Sequence, residues 1–405
     1  MRLAIIGAVL LVAGGVAVAT GLLPWAEVGV LVERVAPIMG FVVAMTVVTE
    51  LASDAGVFQW IAGRLRHWGR GRSYALWLLL AVLAILSTIF LSIDTTAVLL
   101  TPVVVTVTRR AGLPVLPFAL ATVWLANTAS LLLPVSNLTN LLAQHSLGGI
   151  TPAGFAALMW APALAAIVVP LAFIAIVFRR DLRRSYARIP VTRIKPDAGT
   201  SSASRQTSGA QSTDPVLLPA TAVVLVLLLP ALVSGIPLWI SASSAAMVLL
   251  VLFAIRRRRS LTVKLVPWSL LVFTSGLFLV VEATRYIGLP QLVANVAGQG
   301  EGFFDLLRLA ATGALGSNVV NNLPAYLLVE PLAGSPLRTG ALLIGVNAGP
   351  LITPWASLAT LLWHDRLTRM NVLISWRGYA LFGLIVVPLT LVAAVALLAL
   401  AVGSA

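Results

Sequence analysis

NTASLLLPVSNLTNLL, residues 127–142, and NAGPLITPWASLATLL, residues 347–362, align without a gap and agree at six of sixteen positions. Leucine identities carry little weight in so leucine-rich a chain, but Asn127 with Asn347 and Pro134 with Pro354 do. Each stretch interrupts an apolar run of crossing length with polar residues and a proline. Proline removes a backbone donor and disturbs the preceding turn, so each run predicts a broken helix, over about 115–143 and about 340–363. A second pair of blocks repeats in the same order: Glu50, Gly56, Gln59 and Ala62 have the mutual spacing of Glu282, Gly288, Gln291 and Ala294. The chain is thus read as two related halves, residues 1–180 and 216–405.

The rest of the sequence says where those halves sit. Of 405 residues 60% are hydrophobic and 10% charged, far from the balance of a soluble domain. A span needs about 20 mostly apolar residues, and runs such as 3–23, 155–178 and 379–402 supply them repeatedly. The expected fold is an all-α integral membrane protein, and soluble enzymes and nucleic-acid-binding proteins are excluded. The first run, after Arg2, resembles a signal peptide, but its length and the span that follows it read as a retained helix. There is no cysteine, hence no disulfide, thiolate metal site or cysteine nucleophile. Walker A, HExxH and GxSxG patterns are also absent, so energy must come from an ion gradient, the membrane potential or a separate ATPase subunit.

Arginine supplies most of the 27 basic residues against 13 acidic ones, and it clusters at 64–72, 109–110, 179–184, 256–259 and 366–377. Basic loops stay cytoplasmic. Threading the spans by that rule puts the N-terminus and 23 of the 27 basic residues inside, with Arg34, Arg285, Arg308 and Arg338 as exceptions. Residues 181–215, basic and then rich in Ser, Thr, Gly and Gln, read as a disordered cytoplasmic linker between the halves. Residues 54–68, with Val57, Trp60, Ile61 and Leu65 at helical spacing, read as an interfacial helix.

Residues 73–108 are apolar apart from a polar centre and carry basic clusters at both ends, so both ends belong inside. This predicts a re-entrant hairpin, allowed where protein surrounds the tip; two full spans would satisfy the charge rule equally. Residues 303–332 repeat the pattern from outside. With the first glutamate block ending inside and the second outside, the halves are inverted. Inverted repeats with discontinuous helices mark secondary transporters, whose sites lie at the repeat interface near mid-membrane.

Tips and breaks expose helix ends, which attract ligands and ions. The candidate substrate- and ion-binding residues are Ser92, Asp94, Thr95 and Thr96 at the first tip and Asn127, Thr128, Ser130, Ser136 and Asn137 at the first break. In the second half they are Ser317, Asn318, Asn321 and Asn322 at the tip and Asn347, Gly349, Thr353 and Ser357 at the break. Asp94 is the one acidic residue deep in an apolar run, where a charge costs at least about 2.5 to 3.5 kcal/mol; it is the expected proton or cation carrier, though a carboxylate capping the tip would also fit. Glu50 and Glu282, at span ends, read as structural; His364 and Asp365 as an inner charge cluster; Trp25, Trp68, Trp363 and Trp376 as interface anchors. No resident cofactor or metal is expected, and the coupling ion is H+ or Na+.

At these residues the sequence resembles the arsenite efflux permeases (arsenical pump membrane proteins) of the ion transporter superfamily. GPLITPWASLATLLW from Gly349 carries the resemblance most specifically, with DTTAVLLTP from Asp94, TASLLLPVSNLTNLL from Thr128 and VVNNLP from Val319. The first tip departs from the family's usual Asn-Asp-Gly, having Ile93, Asp94 and Thr95. The resemblance implies extrusion of arsenite or antimonite, a small oxyanion or neutral hydroxide, across the plasma membrane against inward protons, with Asn, Ser and Thr as ligands and Asp94 as proton carrier. A homodimer and a cytoplasmic ATPase subunit are the protein partners such a chain would take, and nucleic acid is not one. The rival readings are a sodium-coupled dicarboxylate carrier or a sodium/proton antiporter.

Overall fold

A computed structural model describes residues 2–186 and 214–403. Most of the expected linker lies outside the described residues. Its start is pinned: Tyr186 N donates to Gly71 O (2.9 Å) and Ser73 N to Arg184 O (3.1 Å).

Helices fill the chain. The first half runs α1 (Arg2–Ala19), α2 (Trp25–Asp54), α3 (Val57–Trp68), α4 (Ser73–Phe90), α5 (Ile93–Thr95), a π turn (Thr96–Leu100), α6 (Thr101–Arg110), α7 (Leu116–Thr128), α8 (Leu138–Ser146), α9 (Pro152–Val177) and the short α10 (Arg179–Leu182). The second runs α11 (Leu217–Ala231), α12 (Leu238–Arg256), α13 (Trp268–Tyr286), α14 (Leu289–Ala297), α15 (Phe303–Val320), α16 (Asn322–Val329), α17 (Pro336–Ala348), α18 (Leu358–Arg369) and α19 (Trp376–Gly403). Among the described residues six helices are long and apolar enough to cross a membrane, α2, α4, α9, α12, α13 and α19.

The two halves pack as a pseudo-two-fold pair. α1 lies on α13 and α12 on α2, so the helix preceding each long span packs on the other half's long span; α4 meets α7 as α15 meets α17, and the last spans α9 and α19 pack on each other. The glutamate blocks are equivalent too. Gly56 (φ 85°) and Gly288 (φ 76°) are both left-handed, a conformation glycine adopts without a Cβ penalty, and each turns the chain from a long span into a short amphipathic helix, α3 or α14.

Two hairpins and two interrupted helices occupy the centre. α4 is 18 residues long, about 27 Å at 1.5 Å per residue, and it stops inside the protein, where Ser136 Oγ of the first break donates to Ile89 O (2.8 Å). α7 and α8 are separated by two short 3-10 turns around Pro134, and Asn137 enters α8 in extended conformation (φ −150°, ψ 148°). α17 and α18 are separated by a run of turns and bends through Pro354, with no 3-10 helix, and Ser357 is extended at φ −140°, ψ 136°.

The four basic residues that stand apart from the arginine-rich loops are all spent on partners. Arg34 pairs with Glu330, Arg285 with Glu282 (3.3 Å) and Glu330 (3.4 Å), Arg308 donates to Asn295 O (2.9 Å), and buried Arg338 donates to the carbonyls of Gly298, Gly300, Leu332 and Ala333. One expected interface anchor is not one. Trp363 is fully buried against Tyr379, ring centroids 5.9 Å apart, because α18 packs against α6, α7 and the π turn of the first half, whereas Trp25 and Trp68 are exposed.

Candidate functional site: a cavity between two tips and two breaks

Four segments from distant parts of the chain meet around one cavity of about 180 Å³, room for roughly a dozen water-sized spheres at 10–15 Å³ each. Its walls carry Ser92, Asp94 and Thr95 of the first tip, Ser136 and Asn137 of the first break, Asn321 and Asn322 of the second tip, and Ser357 of the second break. Each segment presents the start of a helix: the arm beginning at Ile93, α8, α16 and α18. N-terminal turns hold the positive end of the helix dipole, so the cavity favours oxygen-rich or negative groups.

Most polar side chains near the cavity are already committed, and what remains uncommitted defines the chemistry. Asp94 makes no hydrogen bond or ion pair among the described residues, and the side chains of Asn322 and Ser357 are equally unspent. By contrast, Ser92 caps the arm by accepting from Thr95 N (3.1 Å), its Oγ lying 2.9 Å from Thr95 Oγ1. Asn321 accepts from Leu323 N (3.4 Å) and donates to Trp355 O (2.8 Å). No Arg, Lys or His lines the cavity among the described residues.

The remaining candidates lie behind the walls. Thr96 is fully buried and joins the arms of the first hairpin, accepting from Thr88 Oγ1 (2.9 Å) with Ser87 Oγ 3.1 Å away. Ser317 Oγ donates to Gly313 O (2.7 Å), Asn127 Nδ2 to Val123 O (2.9 Å) and Ser130 Oγ to Asn127 O (2.6 Å). Each of these donates into its own segment, as buried polar groups away from water must. Asn127 Oδ1 and Thr128 Oγ1 are buried without a partner.

Asn318 stitches the second tip to the second break. It donates to Ala314 O and Gly349 O (2.8 Å each) and accepts at Oδ1 from Thr353 N (2.9 Å), while its carbonyl accepts from Trp355 Nε1 (2.8 Å) and Thr353 Oγ1 (3.0 Å). Gly349 is where the break presses on α15: a Cβ there would run into Ala314 and the Gly345 carbonyl. Asn347 links the two breaks, its Oδ1 accepting from Asn137 Nδ2 and Thr139 Oγ1 (3.2 Å) and its Nδ2 donating to Asn140 Oδ1 (2.8 Å). Asn140 in turn donates to Ser130 O (2.7 Å) and Leu133 O (3.1 Å). Asn318, Asn347 and Asn140 brace the breaks and do not line the cavity, and of this ladder Asn137 alone also stands in its wall.

Sequence reasoning did not select Thr139 and Asn140 of that ladder, nor four polar residues of the cavity wall: Thr46, Thr49 and Glu50 on α2 and Thr274 on α13. Thr46, Thr49 and Glu50 stand at i, i+3 and i+4, one helix face, and a polar stripe in an apolar span was the available signal.

The comparisons with known proteins bear on this geometry. The citrate transporter family model, CitMHS, matches residues 2–360. The arsenical pump membrane protein of Yersinia enterocolitica is 31% identical over 386 residues, covering 88% of this chain and 85% of its own. That of Escherichia coli K12 is 30% identical over 382 residues with the same coverage. In structure, the chain resembles the crystal structure of the Alcanivorax borkumensis YdaH transporter, described as having an unusual topology, with a TM-score of 0.53, 15% identity and coverage of 100% of this chain and 98% of that one; at that identity the likeness concerns the fold. The chain is a multi-pass secondary transporter that belongs to the CitMHS citrate transporter family and to the arsenical pump membrane proteins.

Proposed function

We propose that the protein exports a small uncharged trihydroxide, arsenite or antimonite, from the cell across the plasma membrane in exchange for protons, by alternating access of the central cavity to the two sides. The arginine-rich face is cytoplasmic in this reading, the tips and breaks move together, and the two halves supply the two gates. One observation carries the choice of solute. The cavity offers an unpaired carboxylate at Asp94, an unspent amide at Asn322 and hydroxyl at Ser357, and no basic side chain among the described residues. A neutral trihydroxide can donate to Asp94 and accept from Asn322 and Ser357. Asp94 then binds either the solute or a proton, and competition between them couples the fluxes. The names of the relatives at 31% and 30% identity agree with this solute.

A sodium-coupled carrier of organic anions is the second reading, favoured by the four helix starts around the cavity and by the name of the matching family model. A di- or tricarboxylate there would face Asp94 at a cost of about 4 kcal/mol per like-charged pair at 4 Å, so sodium would have to bind first. Flux into proteoliposomes separates the two. Sodium-independent arsenite movement driven by a pH gradient is expected; sodium-dependent citrate or succinate uptake without it would replace this reading by the second. Passive movement that never accumulates arsenite against its gradient would make the protein a channel.

A further inference from the structure

Glu50 stands where two cavities meet. It lines the central cavity with Asp94, and among the described residues it alone also lines a second cavity of about 550 Å³, walled by Asp54, Gln59, Arg257 and Arg259 at the arginine-rich face. The residue is exposed, and its carboxylate makes no hydrogen bond or ion pair within 4 Å among the described residues. The charged groups around it are Arg366 of α18, Asp54 one turn along α2, Arg257 and Arg259 after α12, and Asp94 of the first tip. Asp54 is already engaged, since Arg257 Nη1 lies 2.9 Å from its carbonyl and 4.0 Å from its carboxylate.

The repeat sharpens the contrast. Glu282, the counterpart of Glu50, is tied to Arg285 (3.3 Å) at the opposite end of the molecule. One glutamate of the pair is thus held in an ion pair, while the other stands unpaired between the central cavity and the one at the arginine-rich face. A span-end carboxylate serving only to anchor α2 needs no place between the two.

We propose that Glu50 is the proton-exchanging residue between Asp94 and the cytoplasm, an inference that rests on the proton-coupled reading above. The Asp94 carboxyl gives its proton to water in the central cavity, the Glu50 carboxylate takes one up from the same water, and Glu50 releases it into the second cavity. One proton leaves Asp94, one enters the cytoplasm, and Glu50 ends ionised as it began. Asp94 is then free to receive the next solute.

The test uses the full chain in proteoliposomes, comparing the wild type with Glu50→Gln and Glu50→Asp in pH-driven arsenite flux and in arsenite counterflow, which moves no net proton. Glu50→Gln should slow pH-driven flux roughly tenfold or more, with a much smaller fall in counterflow, and Glu50→Asp should restore the pH response. A Glu50→Gln profile lying on that of the wild type overturns the inference and leaves the proposed function standing. Equal losses in flux and counterflow also overturn it, because they mark a binding or structural role. Wild-type protein without pH-driven arsenite flux overturns the proposed function and this step together.

Discussion

Asp94 and Asn347 look alike on the page, each a polar residue in an apolar segment, yet the structure gives them different work. Asp94 faces the cavity with nothing bonded to it, while Asn347 is wholly buried and braced between Asn137, Thr139 and Asn140. Their substitutions should separate accordingly. Asp94→Asn keeps the shape and removes the titrating group, so pH-driven flux should fall by about two orders of magnitude or more with an unchanged melting temperature in detergent; wild-type flux would remove the carrier assignment. Asn347→Leu leaves buried partners unsatisfied at about 1–3 kcal/mol each, and should appear first as a lower melting temperature. Sequence could not draw this distinction. Asparagine at a helix break is equally suited to gripping a solute and to bracing the chain, and only the positions of Asn140 and Thr139 in α8, which carry no signal of their own, decide between them.

At the scale of elements the hairpins and breaks were legible, because a proline or polar cluster inside an apolar run leaves the chain few alternatives: 73–108 and 303–332 were expected as hairpins, and helices turn back at Leu91 and Asn321. The asymmetry between the tips was not legible. The second tip is fixed to its break through Asn318, through Asn321 and by Asn322 N donating to Ala356 O (2.9 Å), whereas the first reaches its break through Ser136 and Ile89. The π turn after α5, a type of irregularity common at functional sites, was also invisible, since a run of Thr, Ala, Val and Leu has no signature for one extra residue per turn. Asn321 sits at φ 98°, ψ 155°, a region costly for any side chain and most of all for a β-branched one. Asn321→Val should therefore destabilise the protein by about 1–3 kcal/mol beyond the bonds lost, and Asn321→Gly by less than Asn321→Val. Thermal melts of the two variants, side by side, measure this; an equal loss would mean that the bonds to Trp355 and Leu323 matter and the backbone does not.

For the whole molecule, the repeat foretold that two halves would meet at their interruptions; Asn347 bonded to Asn137, Thr139 and Asn140 is where they do so, and α1 on α13 and α12 on α2 exchange partners around that point. The charge count foretold the arginine-rich face but treated Arg34 and Arg285 as exceptions to a rule. In three dimensions they are a fastening. Glu330, at the base of the second hairpin, is nearly buried and pairs with Arg34 of α2 and Arg285 of α13. A cavity lined by these three residues lies on that side and shares no described residue with the central one, while on the other side Glu50 belongs to both the central cavity and the one beyond it. The Glu330 end is thus fastened by two ion pairs, and opening there requires Glu330 to part from both guanidinium groups. Charge-assisted hydrogen bonds contribute about 1.5–3 kcal/mol each. Glu330→Gln weakens both without changing the side chain's shape, and a gain of about 1.4 kcal/mol for the open form is a tenfold shift in population. Because the chain has no cysteine, a single Ser357→Cys reports on the cavity alone. In the Glu330→Gln background that cysteine should react roughly tenfold faster with a membrane-impermeant thiol reagent applied from the Glu330 side, and more slowly from the arginine-rich side. Rates that stay unchanged from both sides would mean that the cluster only stiffens the rim at the Glu330 end and that closure lies elsewhere.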